Sequence, residues 1–229
     1  MTTTSSRSGG DAVYHLFDAI PRRCYRALVV DPPWSYRNTR TGGSMRSGPA
    51  AKYPTLSIDE LKAIPVADIA ARDGSILFLW VTTPLLPEGL DLLRAWGYRY
   101  KTALYWDKVR YGMGFWFRGQ VEPCLIGIRG KVPAFRSSAR NLFAEKARQH
   151  SEKPDAFWDL IEPCLDEAGI SPRIEMFARS RRRGWDSSGD QILAPPGEDA
   201  ATCTKGLSAE SEEAVMSRLT HCTEETETG

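Results

Sequence analysis

The stretch Ala27-Leu28-Val29-Val30-Asp31-Pro32-Pro33-Trp34 constrains this chain more than any other. Four apolar residues in a row, two of them β-branched, predict a strand buried on both faces of a sheet. The strand then stops at an acid, two prolines and a tryptophan. Neither proline can donate to a sheet ladder, and each holds φ at about −65°, so the turn is stiff. Pro32 also pushes Asp31 out of the helical region. The expected result is a carboxylate at the carboxyl end of a central strand, with rigid carbonyls beside it and a flat ring next. In an open α/β sheet, ligands bind outside that end of the strands. A carboxylate and a fixed carbonyl can accept both hydrogens of an exocyclic amine, and Trp34 can stack on the ring that carries it. The plainer alternative is a strand-ending turn with a packing tryptophan. Acids seldom end core strands without a role, which favours the amine-binding reading.

A chain of 229 residues with 41% hydrophobic content is long enough for one α/β domain with a sizeable core. No apolar run approaches the roughly 20 residues of a membrane span, and residues 1–10 lack the apolar centre of a signal peptide. Five cysteines in odd number, without Cys-x-x-Cys spacing, argue against a disulfide framework and suit a cytoplasmic setting. His15, His150 and His221 lie far apart with no cysteine pair to join them, so no metal site is expected. There is no Gly-x-Ser-x-Gly elbow or phosphate-binding loop, which removes the common hydrolase and kinase classes. The net charge of +1 hides an asymmetry, because residues 193–229 hold eight acids and two bases. The preceding residues are therefore basic. Arg22, Arg23, Arg26, Arg37, Arg40 and Arg46 flank the Asp31 turn, and Arg179, Arg181, Arg182 and Arg183 form a second cluster. Either group fits a polyanionic substrate or a solvated basic face.

Taken in order, residues 1–12 lack the apolar content to fold, and 13–192 hold the folded domain. The strand is expected over 25–30. The Gly-, Ser- and Arg-rich residues 35–54 read as a mobile lid or substrate loop. Ser57-Ile58-Asp59-Glu60 is a capping box opening a helix to about Ile64. A second buried strand spans 75–82, a helix with C-cap Gly97 spans 85–96, and a third strand spans 98–106. Strand, helix and strand with short joins imply parallel crossovers. Residues 111–120 mix glycines, aromatics and Arg118, as in a nucleic-acid loop or an aromatic-packed surface loop. A fourth strand covers 122–128, and 131–150 reads as irregular. A helix begins near Ser151, its candidate N-cap, with Pro154 in the first turn, and runs to about Ala168. The last strand, 173–179, carries Glu175, whose burial is costly without a partner. Residues 184–191 read as loops and 193–229 as an acidic flexible tail, with a candidate helix at 209–219.

Over residues 25–191 the chain resembles the MT-A70 family of S-adenosylmethionine-dependent adenine N6-methyltransferases. The resemblance rests on Asp31-Pro32-Pro33-Trp34, Leu77-Phe78-Leu79-Trp80-Val81-Thr82, Trp96-Gly97-Tyr98 and Trp106-Asp107-Lys108. It continues through Gly112-Met113-Gly114-Phe115-Trp116, Glu122-Pro123-Cys124-Leu125-Ile126-Gly127-Ile128-Arg129-Gly130 and His150-Ser151-Glu152-Lys153-Pro154. It closes with Ile174-Glu175-Met176-Phe177-Ala178-Arg179 and Gly184-Trp185-Asp186. Each segment alone is weak; their order and spacing together are specific.

The resemblance implies a single Rossmann-like methyltransferase domain, a mostly parallel sheet with helices on both faces and a permuted motif order. The catalytic motif comes early and the cofactor strand late. It implies S-adenosylmethionine as cofactor, with Asp31, Lys153, Glu175, Phe177, Arg179, Asp190 and Gln191 around it. Lys153 and Arg179 would take the cofactor's carboxylate or ribose. Asp190 departs from the asparagine usual in that segment, which unsettles the ribose contact there. Asp31, Pro32, Pro33 and Trp34 would be catalytic. The Asp31 carboxylate and Pro32 carbonyl would accept the two hydrogens of the adenine amine and aim its nitrogen at the sulfonium methyl. Trp34, with Tyr36 or Tyr53, would stack on the base, and Arg37, Arg118 and Glu122 complete the expected substrate-binding set. A duplex substrate would have to flip its adenine out. DNA is the expected substrate, with RNA adenine, a non-catalytic subunit and cytosine as rivals; Trp34 in place of Tyr or Phe favours adenine. A homodimer or heterodimer is the expected assembly.

Overall fold

The computed structural model describes residues 17, 19–35, 55–112, 116–148, 153–189 and 192. Strand β1 (Ala27–Val30) is buried at every position. It lies between two parallel neighbours, β2 (Gly74–Trp80) and β6 (Arg173–Met176). With β3 (Arg99–Asp107), β4 (Val121–Gly130), β5 (Leu142–Ala144) and β7 (Asp186–Ser188) they form one seven-stranded sheet in the order β5-β3-β4-β2-β1-β6-β7. The chain leaves β1 for β2 on one side and comes back to β6 on the other. The carboxyl ends of β1 and β6 therefore flank a topological switch point, where such sheets hold ligands.

The sheet is mostly parallel, as expected, with helices on both faces. Alternation along β1 sends Leu28 and Val30 into one core and Ala27 and Val29 into the other. The first core is covered by α1 (Ile58–Ala63), α2 (Val66–Ile69) and α3 (Leu86–Ala95), through Leu61, Val66, Ile69, Leu92 and Leu93. The second is covered by α4 (Asp155–Glu167), whose Phe157, Trp158, Ile161 and Leu165 meet Phe78, Trp80 and Trp106. The predicted capping box at Ser57 is present with both its hydrogen bonds. Gly97 ends α3 at φ 81°, a value that suits glycine.

Several details depart from the sequence reading. β4 runs antiparallel to both β2 and β3, so the crossover from β2 through α3 to β3 spans an intervening strand. β5 and β7 are edge strands of three residues each, at positions read as irregular, because strands that short carry no measurable alternation. The last strand ends at Met176 and not at Arg179, since Phe177 turns the backbone with φ 61°. α4 starts at Asp155 with Pro154 at its N-cap and no side-chain cap of its own, so Ser151 does not hold that position. The helix is capped from outside: Glu145, just past β5, accepts the Ala156 N–H at 2.8 Å. Cys24 is disulfide-bonded, against the expectation from the odd cysteine count, whereas Cys124 and Cys164 are free. Residues 1–12, 36–54, 193–229 and the candidate helix 209–219 lie outside the described residues. Among those described, no helix is long and apolar enough to cross a membrane.

Helix α3 comes close to the sheet at two glycines. A Cβ on Gly127 of β4 would stand 2.9 Å from Tyr98 Cβ and 3.0 Å from Leu93, and one on Gly89 would stand 2.9 Å from Val81. Gly127→Ala is therefore expected to overpack this contact and destabilise the fold by about 1–3 kcal/mol. Urea denaturation would show a lower midpoint with an unchanged slope.

Candidate active site

Side-chain alternation gathers acids on the α4 face of the sheet. Val29 faces α4, so Asp31, two residues on, faces it too. Glu175 is paired with Val29 across β1 and β6 and points the same way. Cys124 and Trp106 also belong to that core, which puts Glu122 and Lys108 on the same side. The carboxyl ends of β1, β3 and β6 and the amino end of the antiparallel β4 thus place Asp31, Lys108, Glu175 and Glu122 around one crevice.

Lys153, just before α4, fills its centre. Its ammonium lies 3.0 Å from an Asp31 oxygen and 2.7 Å from Glu122, and Glu122 also meets Lys108 at 3.4 Å. The Lys153 side chain is only 9% exposed and sits over the Trp80 ring at 4.8 Å. Burial alone would discharge this lysine, but the two carboxylates hold it protonated and raise its pKa. Burial also works against Glu122, yet Lys153 and Lys108 keep it below its ordinary value. Asp31 is displaced the other way. Burial raises it and the Glu122 charge adds to that, only partly opposed by Lys153 and Arg179.

Glu175 is the acid without a partner. Its carboxylate makes no hydrogen bond or ion pair among the described residues, and burial followed by the Asp31 charge pushes it up to about 7. Trp80 Nε1 and Thr82 Oγ1, at the end of β2, are also buried without partners among those residues. Phe177 follows with its left-handed φ and packs on Phe17 at 5.3 Å, a strained turn beside the end of β1.

The Asp-Pro-Pro-Trp turn is rigid for reasons beyond its prolines. The Pro32 carbonyl accepts the Trp34 N–H at 2.8 Å, and the Pro33 carbonyl accepts the Leu56 N–H at 2.8 Å. Among the described residues nothing else bonds the Pro32 carbonyl, whose second lone pair remains for a ligand. Trp34 departs from its expected role as an open stacking platform. It is 8% exposed, lies in the core opposite α4, and donates its Nε1 to the Trp80 carbonyl at 3.1 Å. The tryptophan anchors the turn to β2.

Of the residues singled out in the sequence, Asp31, Lys153, Glu122 and Glu175 come together at this crevice, the Arg179 charge reaches Asp31, and Phe177 packs on Phe17 toward the other core. Arg118 lies on the exposed connection between β3 and β4. Tyr36, Arg37, Tyr53, Asp190 and Gln191 lie outside the described residues. Lys108, Trp80 and Arg182, whose charge reaches Glu175, belong to the same environment but were not singled out as site residues. The available signal was Lys108 placed directly after an apolar strand, at the end where Asp31 sits. A separate cleft of about 580 Å³, lined by Arg26, Arg99, Lys101 and Lys131, lies at the opposite end of the strands. No group of three His, Cys, Asp or Glu residues suited to a metal occurs among the described residues.

The Glu175 shift has a consequence for stability. The unfolded group ionises at about 4.5 and the folded one at about 7, so its protonated form favours the fold. That contribution is complete below pH 4.5 and is lost as pH rises through 7. Glu175→Gln should leave stability near pH 4.5 unchanged and raise it above pH 7 by roughly 1–3 kcal/mol. Urea denaturation on both sides of the window tests this, and an equal difference at the two pH values would contradict it.

The MT-A70 family model matches residues 25–191, from just before β1 to just past β7. The type II methyltransferase M.MunI of Mycoplasma sp is 36% identical over 202 residues, covering 77% of this chain and 82% of that protein. The human N(6)-adenosine-methyltransferase catalytic subunit METTL3 is 27% identical over 73% of this chain. An Arabidopsis thaliana N(6)-adenosine-methyltransferase MT-A70-like protein is 28% identical over 73% of this chain. The chain spans 28% and 24% of those two relatives. With the fold, the Asp-Pro-Pro-Trp turn and these matches in agreement, the chain belongs to the MT-A70 family.

Proposed function

We propose that this protein transfers a methyl group from S-adenosylmethionine to the N6 amine of adenine in DNA. The observation that carries this reading is the Asp31 carboxylate, fixed by Lys153 beside the half-occupied Pro32 carbonyl. Two acceptors on a rigid frame match the two hydrogens of an exocyclic amine. DNA is favoured by the likeness to a type II methyltransferase over 82% of that protein's length.

The crevice suits the cofactor chemically. Asp31 offers a negative charge to a sulfonium, and it and Glu175 offer acceptors to ribose or amine groups. Lys153 has three donors, of which Asp31 and Glu122 take two, and the third can meet a carboxylate. Phe177 and Arg179 shape the adjoining turn, and Asp190 and Gln191 complete the set proposed for cofactor binding. When bound, the cofactor supplies an electrophilic methyl group. The chain's own residues supply position and polarity. Asp31 and Pro32 draw on the amine hydrogens, which restores lone-pair density to a nitrogen otherwise delocalised into the ring. A carbon–nitrogen bond formed there would be matched by loss of the methyl's bond to sulfur, whose electron pair would stay on a neutral thioether; the nitrogen would gain the positive charge, and Asp31 is placed to stabilise it and take the proton. Lys153 holds Asp31 in register, and Glu122, itself bonded to Lys108, holds Lys153.

Asp31→Ala should lower incorporation of labelled methyl into N6-methyldeoxyadenosine by at least about a hundredfold. Retained turnover would sink the assignment. Label found instead in N6-methyladenosine of an RNA substrate would redirect it to RNA. Lys153→Met removes the charge that opposes the upward shift of Asp31. The acid limb of its kcat/KM profile should then move to higher pH, and an unmoved limb would separate Lys153 from Asp31.

A further inference from the structure

The least expected exposure in the molecule lies between β3 and β4. Trp116 is 100% exposed, Phe117 85% and Tyr111 73%. Contiguous large apolar side chains left in water mark an interaction site. The backbone holds them out. Lys108 N–H bonds the Gln120 carbonyl at 3.0 Å and Gly112 N–H bonds the Gly119 carbonyl at 2.7 Å. The β3–β4 ladder thus continues beyond the sheet as a narrow ribbon, with Trp116 past its last rung. Asp107 clamps the root, accepting from Val109 N–H and from Gln120 at 2.8 Å each. Val109 and Trp116 adopt φ of 60° and 64°, values rare for bulky residues and found where function holds strain in place.

The ribbon rises from the reactive end of the sheet. Its root residues Lys108 and Glu122 are bonded to each other, and Glu122 connects through Lys153 to Asp31. Six residues separate Glu122 from Trp116, a reach of up to about 20 Å when extended. That distance is enough to pass from the crevice into the base stack of a duplex lying across it. Arg110 and Arg118, both exposed, put positive charge beside the aromatics. An enzyme acting on a base in a duplex must extrude it, and apolar or aromatic side chains inserted between base steps ease that unstacking.

We propose that Trp116, with Phe117 beside it, is a wedge that enters duplex DNA at the target and fills the place of the adenine swung toward Asp31. This rests on the adenine reading above. The test uses the full chain and its W116A variant on three oligonucleotides: a paired duplex, the same target single-stranded, and a duplex with an abasic site opposite the target. With the paired duplex, kcat/KM should fall by at least about tenfold, the loss expected for one stacking contact. The single strand should lose far less, and the abasic duplex should recover most of the rate. An equal loss on all three, or no loss, overturns the wedge. So does a change of oligomeric state in light scattering with equal loss on all three substrates, which would make the patch an interface between copies. The fluorescence of 2-aminopurine at the target position reports extrusion without turnover. It should rise with the wild type and not with W116A, and no rise with the wild type also overturns the wedge. Should the wild type methylate no adenine at all, it is the reading of the reaction that fails, and the fluorescence still decides the wedge.

Discussion

The reactive end of this sheet depends on one buried ammonium. Without Lys153, the side chains of Asp31, Glu122 and Glu175 would place three acids in a poorly solvated crevice, and each would repel the others out of its charged form. With it, two are drawn onto a common cation, and Glu175, with no ion pair among the described residues, is pushed up by burial. Such an arrangement contributes little net stability, since desolvating the ions offsets their attraction. Its effect is geometric: an acid at the end of a strand becomes an acid in one position.

Helix packing carries that geometry. α4 rests on the sheet through Phe157, Trp158, Ile161 and Leu165, with Phe157 edge-on to Trp80 at 4.9 Å. Trp80 in turn lies beneath the lysine and offers its carbonyl to Trp34. A single residue of β2 therefore ties α4 and the lysine just before it, through its ring, to the turn that bears the acid, through its carbonyl. The permuted order of the strands matters little to this result, because the site belongs to one end of the sheet and to no consecutive segment.

Much of this was legible from residues. Four apolar positions running into Asp-Pro-Pro-Trp identify β1 and its exit, and the cost of an acid in an apolar strand singles out Glu175. The family resemblance added Lys153 and Arg179. What the residues could not show is mostly long-range. A lysine before a helix gives no sign of which carboxylates it will meet, and both of its partners come from distant strands. Hydrophobic periodicity has no direction, so the reversal of β4 was invisible. Trp34 looked like a platform because its burial depends on the return of Leu56 alongside it, which the turn itself does not encode. The short edge strands were missed for want of enough residues to show a pattern.

The capping of α4 from outside also sets what the chain can tolerate in length. Phe143 is pinned to Trp106 in the sheet, and Glu145 is fixed both by its backbone to Trp106 and Asp107 and by its carboxylate to Ala156. The span between that acid and Lys153 is anchored at both ends, one in an edge strand and one at the reacting groups. Residues 131–141, largely exposed and without helix or strand, are also held at their ends, Lys131 by the Asp73 carbonyl and Asn141 by Tyr105 and Ala103, but no residue among them touches the reacting groups. The length of chain between Glu145 and Lys153 therefore bears on where the ammonium sits, because one end is fixed to α4 and the other to Asp31 and Glu122.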